Sequence, residues 1–232
     1  MSSRGLFTLC GSLGVLVLAW LAWRGFASLG DQRREAAAPI VDKRPVVFAS
    51  HTFDPASLPA EMPPLSAGEN AECDSDFQSN ASVCGETRQI DPSHAALIIS
   101  QIKVTLELHV NIWVPDGVSQ KVVEHEQGHR QISEYYYQTA DKIAMRIAAT
   151  YIGRRVEISG TDLGGESTKA LQQIAGEINA EYNKELNPGP TQLLYDDITD
   201  HGRNETAVQD ALAHAIKNVS VESAPSTSSP AN

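Results

Sequence analysis

The run Gln101–Pro115, QIKVTLELHVNIWVP, carries the clearest structural pattern of this chain, together with the segment DGVSQKVVEHEQGH that follows it. Every even-numbered residue from Ile102 to Val114 is apolar, and the odd positions carry mostly polar side chains. Because successive side chains of a strand point to opposite faces, the run predicts a half-buried strand with one core face. Pro115 ends the strand, since proline cannot donate to the ladder of hydrogen bonds.

A long helix is predicted after this strand, from about Ser119 to Tyr151. Asp116-Gly117 makes the turn, and Ser119 is a suitable N-cap. Apolar residues beyond position 129 recur at spacings of three and four, which is typical of a helix with one face toward the core. They are Ile132, Tyr136, Ala140, Ile143, Ala144 and Ile147.

The motif HEQGH, residues 125–129, lies within this helix. Residues four apart lie on one face of a helix, so His125 and His129 can direct two imidazoles at one metal ion. Glu126 stands beside them and can take a proton from a water on that metal. The pattern is typical of a zinc hydrolase. The alternative is a solvated helix face with two unrelated histidines.

A catalytic zinc takes three protein ligands and leaves one position for water, so a third ligand is required. His109 is one candidate, on the polar face of the preceding strand. His201 is another, because the helix and loop between it and the motif could fold it back over the pair. Asp196 and Asp197 could bind the metal or orient a histidine. The residues alone leave these alternatives open.

Two segments together resemble a bacterial family of predicted secreted zinc-dependent proteases. They are the motif HEQGH at 125–129 and the segment YDDITDHG at 195–202. The strand that ends in Ile112–Pro115 is similar as well, and the resemblance covers roughly residues 46–217. It implies a zinc-peptidase domain outside the cytoplasm.

The resemblance also implies roles for individual residues. His125 and His129 match the ligands of one zinc ion per chain, with His201 as the third ligand. Glu126 matches the general acid/base, which would take a proton from the attacking water and pass it to the leaving amine.

Two further site residues are expected near His201. Tyr195 is a candidate catalytic residue that would stabilise the oxyanion, and its alternative role is that of a core tyrosine. Asp196 is expected to orient His201 or another ligand through a hydrogen bond, and capping a turn is its alternative role.

The order of the elements predicts an α+β fold. A small antiparallel sheet would pack on the long active-site helix and on two or three further helices, in a zincin-like arrangement. Short strands are expected at 46–48 and 156–158. Further helices are expected from Ser167 and over about Glu205–Lys217.

Four regions follow from composition: an N-terminal signal anchor or signal peptide at 1–29, a linker at 30–45, the folded domain at 46–217 and a disordered tail at 218–232. The apolar run Leu6–Trp23 lacks a suitable cleavage site, which favours an uncleaved anchor. Either alternative sends the domain out of the cytoplasm. We therefore expect a periplasmic domain held at the inner membrane by one helix, or a secreted protein if the segment is cleaved.

Cys73 and Cys84 are the two cysteines of the expected domain, and the residues between them read as a polar loop. A close pair of cysteines in an exported protein predicts a disulfide.

The formal net charge of −11 argues against nucleic acid as a partner, since nucleic-acid binders carry basic patches. The expected partners are a peptide or protein substrate and, through the N-terminal segment, a membrane. Two alternatives to the peptidase remain. One is a non-catalytic envelope module that binds a ligand in the cleft, and the other is a zinc amidase that acts on peptidoglycan peptides.

Overall fold

The computed structural model describes residues 38–65 and 69–222. These residues all belong to one compact unit, which begins at Ala38. The predicted anchor at 1–29 lies outside the described residues. Among the helices that the structure describes, none combines the length and the apolar character needed to cross a membrane.

Five strands and five helices make up the described part of the chain. The strands are β1 (Ile40–Lys43), β2 (Val47–Phe53), β3 (Glu72–Asp91), β4 (His94–Pro115) and β5 (Arg155–Ser159). The helices are α1 (Gln120–Gln138), α2 (Ala140–Ala149), α3 (Leu163–Glu185), α4 (Gly189–Thr199) and α5 (Val208–Glu222).

Strand β4 organises the sheet. Its 22 residues pair on one edge with β3 in an antiparallel hairpin, and on the other edge with β5, β1 and β2 in succession. The α+β class is confirmed, but the sheet is mixed, because β1 and β2 run parallel to β4. The prediction of a purely antiparallel sheet is wrong in this respect. Periodicity predicts which face of a strand is buried, and it carries no signal for strand direction.

The core lies on the even-numbered face of β4, as predicted. Every even residue from Ile102 to Ile112 is at most 1 % exposed. Helices α2 and α3 cover this face with small and branched apolar side chains. They include Ala144, Ile147, Ile174 and Ile178.

Helix α1 lies between the sheet and the pair α4–α5. On the sheet side, the hydroxyl of Tyr137 donates to the backbone oxygens of Leu106 and Arg44, each at 2.9 Å. On the other side, Ile132 packs against Tyr195 and α5. This position fixes α1, and with it the motif at 125–129, between two packed layers.

The single helix predicted over 119–151 is divided at Thr139, whose backbone (φ −101°, ψ 1°) departs from helical values. Lys43 of β1 donates to the backbone oxygens of Tyr137 and Gln138, at 3.0 and 2.9 Å. A charged donor on the last carbonyls favours a helix end at this place.

The predicted disulfide between Cys73 and Cys84 is wrong. Both thiols are free. The segment between them is part of β3 rather than a loop, so the two Cα atoms are about 36 Å apart at the rise of an extended strand. A disulfide requires Cα atoms within about 7 Å.

Three boundaries also differ from the expectations. The predicted linker at 30–45 contains β1, which pairs with residues 103–106 of β4. The segment from Tyr195 to Thr199 lies between the two further helices that were predicted, and it is the end of another helix, α4. Helix α5 continues to Glu222 and so enters the region that was expected to be a disordered tail.

Candidate metal centre

Three side-chain atoms from α1 and α4 meet at one buried point. Asp196 Oδ1 lies 2.8 Å from His129 Nε2 and 3.3 Å from His125 Nε2. The two Nε2 atoms lie 3.1 Å apart. The helical spacing of the two histidines brings their Nε2 atoms together, as the motif predicts, although the ring planes are perpendicular. Helix α4 supplies the carboxylate.

The tautomer of His129 follows from its neighbour Gln192. The amide nitrogen of Gln192 donates to the His129 backbone oxygen and to Ser133 Oγ, each at 3.1 Å. The amide oxygen therefore faces His129 Nδ1, at 2.6 Å, and accepts a proton from it. With the proton on Nδ1, the Nε2 atom of neutral His129 presents a lone pair.

The tautomer of His125 follows in the same way from Thr199. The hydroxyl of Thr199 donates to the Tyr195 backbone oxygen at 2.7 Å. Its oxygen lies 3.3 Å from His125 Nδ1 and accepts from it. Nε2 of neutral His125 therefore also presents a lone pair. Partners of this kind orient the histidine ligands of metal sites.

When both histidines are neutral, three acceptor atoms thus face one another without a donor hydrogen among them. Asp196 Oδ1 is buried and makes no hydrogen bond among the described residues. Ligands at about 2.0–2.2 Å from a tetrahedral zinc lie about 3.3–3.6 Å apart. The observed separations are similar or slightly shorter, so a small outward shift admits an ion. The group of His125, His129 and Asp196 could hold a metal ion.

Charge supports this interpretation. Burial opposes the charged form of Asp196, but the adjoining imidazoles outweigh it and hold the pKa of Asp196 well below its ordinary value. Burial acts to lower the pKa of His129, and the contact with Asp196 outweighs that effect and raises it. The pair thus favours a positive charge between these side chains, which either a proton or a metal ion can supply.

Glu126 lies in a cleft of about 240 Å³ next to this group, and His129 and Asp196 line the same cleft. Its side chain is 5 % exposed. Burial raises the pKa of Glu126 to about 8. His129 acts against this, and the carboxylates of Glu69, Glu72 and Asp196 add to it. A cation at the His–His–Asp group would favour the ionised carboxylate, which is the form that accepts a proton.

Tyr195 does not line the cleft. Its side chain is fully buried, its ring is stacked on that of His125 with centroids 5.0 Å apart, and its hydroxyl donates to the His125 backbone oxygen at 3.3 Å. The structure thus places Tyr195 in the core, where it positions His125. This is the alternative role of Tyr195 and not the catalytic role expected for it.

His201 lies near the group without joining it. Its Nδ1 is 4.0 Å from Asp196 Oδ1 and 3.1 Å from Glu69 Oε1. The structure brings Asp196, rather than His201, to the two histidines. The αL conformation of the segment 200–202 ends α4 and turns His201 toward Glu69. At Gly202 a Cβ would come within 3.0 Å of the His125 side chain, so this turn lies directly on His125.

The other candidates for the third ligand lie elsewhere. His109 contacts Glu107, two residues away on the polar face of β4. Asp197 is exposed on α4.

Three residues of the site had no predicted role: Glu69 and Gln192, and Thr199, which was named only within the resembling segment at 195–202. A usable signal was present for two of them. Gln192, Asp196 and Thr199 are spaced by four and three residues, which places them on one face of a helix that begins at Gly189-Pro190. Glu69 lies outside the regular elements, and no local pattern indicated it.

Comparison of the chain with protein-family models, curated proteins and solved structures finds no match. The resemblance to secreted zinc-dependent proteases therefore receives no support from a family match. The structure shows a buried His125–His129–Asp196 group beside a long helix, which is consistent with a metal site.

Proposed function

We propose that this domain is a zinc-dependent hydrolase that cleaves peptide bonds, with the metal bound by His125, His129 and Asp196. One observation carries the proposal: two imidazole Nε2 atoms, each with its Nδ1 proton engaged elsewhere, face a buried carboxylate oxygen that makes no hydrogen bond. Two nitrogens and one oxygen form a donor set that suits zinc.

A zinc ion held there supplies a Lewis acid, which lowers the pKa of water to about 7 and polarises a substrate carbonyl. Glu126 is the group in the cleft that takes the proton from the attacking water and passes it to the leaving amine. Thr199 and Gln192 hold the two imidazoles in the required tautomer throughout.

Two parts of the proposal rest on the sequence: the substrate class, which is peptides, and the location, which is the cell envelope. The motif at 125–129 is typical of zinc peptidases, and the apolar segment at 6–23 favours export with an uncleaved anchor. We propose a periplasmic enzyme held at the inner membrane, with peptides or proteins as partners.

The test combines metal content with turnover. Glu126→Gln keeps the size of the side chain and should retain zinc while losing hydrolysis of a quenched fluorescent peptide library. His125→Ala should lose both. Glu124→Gln is the matched control, because Glu124 is exposed on the same helix and should change neither.

The outcomes separate the alternatives. In one outcome the parent and Glu126→Gln both retain zinc and bind a peptide ligand equally well, with turnover in neither. That result would identify the domain as a binding module. Release of stem peptides from purified sacculi, without cleavage of protein substrates, would move the substrate class to peptidoglycan. A folded parent protein that binds no zinc would contradict the proposal.

A further inference from the structure

A second group of possible metal ligands lies beside the first. It consists of Glu69, Asp196 and His201, whose ligand atoms all lie within 4.8 Å of one another. His201 Nδ1 is 3.1 Å from Glu69 Oε1 and 4.0 Å from Asp196 Oδ1. The group contains a ring nitrogen and two carboxylates, so it is a mixed donor set rather than a purely acidic cluster.

Asp196 belongs to both groups. A carboxylate has two oxygens with about four lone-pair sites, so it can serve two cations at once. Its Oδ1 is buried and makes no hydrogen bond, although it is close to ring nitrogens of three histidines. This arrangement suits a carboxylate that bridges two ions.

The charge of the cleft also favours a second cation. Four carboxylate side chains line it, and its lining among the described residues contains neither lysine nor arginine. They are Glu69, Glu72, Glu126 and Asp196. One divalent cation would offset two of these charges when all four are ionised, and a second would offset the remainder.

We propose that a second divalent cation binds to Glu69, His201 and Asp196, and that Asp196 bridges the two ions. The inference rests on the proposed function, because Asp196 must also bind the first ion. Two-metal hydrolase sites hold their ions about 3.5–4 Å apart, which a shared carboxylate allows. With two oxygens and one nitrogen, the second site is richer in oxygen than the first and would accept Mn²⁺ as well as Zn²⁺.

The second cation would give the site a further function in substrate binding. It would lie beside His201, whose side chain is about one third exposed. A cation there can bind a carbonyl or carboxylate oxygen of a peptide and so orient the bond that Glu126 serves.

The experiment is metal titration of the whole chain, first with Zn²⁺ and then with Mn²⁺, using elemental analysis and calorimetry. The parent should bind two ions per chain with different affinities. His201→Ala and Glu69→Gln should each bind one ion with the affinity of the tighter site, and Asp196→Asn should weaken both sites. His214→Ala, an exposed histidine of α5, is the matched control and should keep two.

Magnetic coupling between two bound ions provides a second measurement. Removing His201 would not abolish this coupling if His201 had only a structural role. The chain loaded with two Mn²⁺ ions should give the electron paramagnetic resonance spectrum of an exchange-coupled pair. His201→Ala, checked for native circular dichroism, should give the spectrum of an isolated ion.

The outcomes are distinguishable. One ion per chain in the parent, unchanged in His201→Ala and Glu69→Gln, overturns the second site and leaves the proposed function in place. In that case the contact between His201 and Glu69 is an ion pair only. Two ions that survive both substitutions place the second ion elsewhere and also overturn the inference. A parent that binds no ion overturns both proposals.

Discussion

The hydroxyl of Tyr195 occupies the space beside Gly128 that a side chain would need. A Cβ built at Gly128 would lie 2.1 Å from Tyr195 Oη and 2.5 Å from Cζ. Helices α1 and α4 can therefore approach closely at this point. Since Asp196 follows Tyr195 in α4, the same approach brings its carboxylate to the two histidines.

Gly128→Ala should destabilise the protein and weaken zinc binding. The new methyl group would meet a fully buried ring that has no room to move, and overpacking of this kind costs about 1–3 kcal/mol. We expect a loss of about 2 kcal/mol in the free energy of unfolding, measured by denaturant titration. Zinc affinity should fall with it, because α4 and Asp196 would be displaced.

Gly176→Ala is the control for this substitution. Gly176 lies inside α3, and a Cβ there meets nothing within 4 Å. Alanine favours a helix more than glycine does, so the free energy of unfolding of this variant should rise by up to about 1 kcal/mol. If Gly128→Ala is as stable as the parent or more stable, the close approach of Gly128 and Tyr195 is not a feature of the protein.

Gln192→Leu should weaken zinc binding while the protein stays folded. The substitution removes the acceptor that keeps the proton on His129 Nδ1, and partners of this kind change metal affinity about 10–100-fold. A competition titration with a chromophoric chelator measures the change. Gln173→Ala, at an exposed site of α3, should match the parent. Parent-like affinity in Gln192→Leu would show that Gln192 does not orient the ligand.

Glu126→Gln should change how the stability of the metal-free protein depends on pH. The pKa of Glu126 is about 8 in the folded protein, above the ordinary value of 4.5, chiefly because of burial. Between these two values the folded state binds more protons than the unfolded state, so this carboxyl makes stability fall as pH rises. The slope is at most about 1.4 kcal/mol for each pH unit.

Glutamine has no proton that titrates in this range. The free energy of unfolding of Glu126→Gln, relative to that of the parent, should therefore rise from pH 5 to pH 8. Urea titrations in EDTA measure this difference. Saturation with zinc should reduce it, since a nearby cation favours the ionised carboxylate. A difference that is constant with pH in the metal-free protein would contradict the raised pKa.

The two cysteines of β3 should behave as separate thiols. Cys84 is exposed, whereas Cys73 is half-buried, and burial, with Glu126 adding to it, raises the pKa of Cys73 to about 12. Because the thiolate is the reactive form, iodoacetamide at pH 8 should label Cys84 in the folded protein and Cys73 only after unfolding. Peptide mapping measures both. A peptide in which Cys73 and Cys84 are linked would contradict the structure.

The sequence predicted the parts of the fold that depend on periodicity. The alternation from Ile102 to Val114 indicated both the strand and its buried face, and the spacing from His125 to Ile147 indicated a helix with one face toward the core. These signals are strong because each one recurs over several turns or residue pairs. The side-by-side placement of His125 and His129 followed from the same helical geometry.

The sequence did not show which later residue would meet the two histidines. That outcome depends on the approach of α4 to α1, which the contact between Gly128 and Tyr195 allows. It also depends on where the side chains of Asp196 and His201 point. His201 follows Asp196 by five residues and lies in a segment with positive φ angles. Likewise, the strand between Cys73 and Cys84 follows from pairing with β4 and not from its own polar sequence.

The most direct test of a metal site at His125, His129 and Asp196 compares the zinc affinity of the parent with that of Asp196→Asn, by chelator competition at neutral pH. Asparagine keeps the shape of the side chain and removes the charge, so the fold should be retained. We expect a tightly bound zinc ion in the parent and an affinity at least about 100-fold weaker in Asp196→Asn, since a carboxylate ligand is lost. A parent without a tight zinc ion, or a variant that binds zinc equally well, would contradict the assignment of His125, His129 and Asp196 as the metal site.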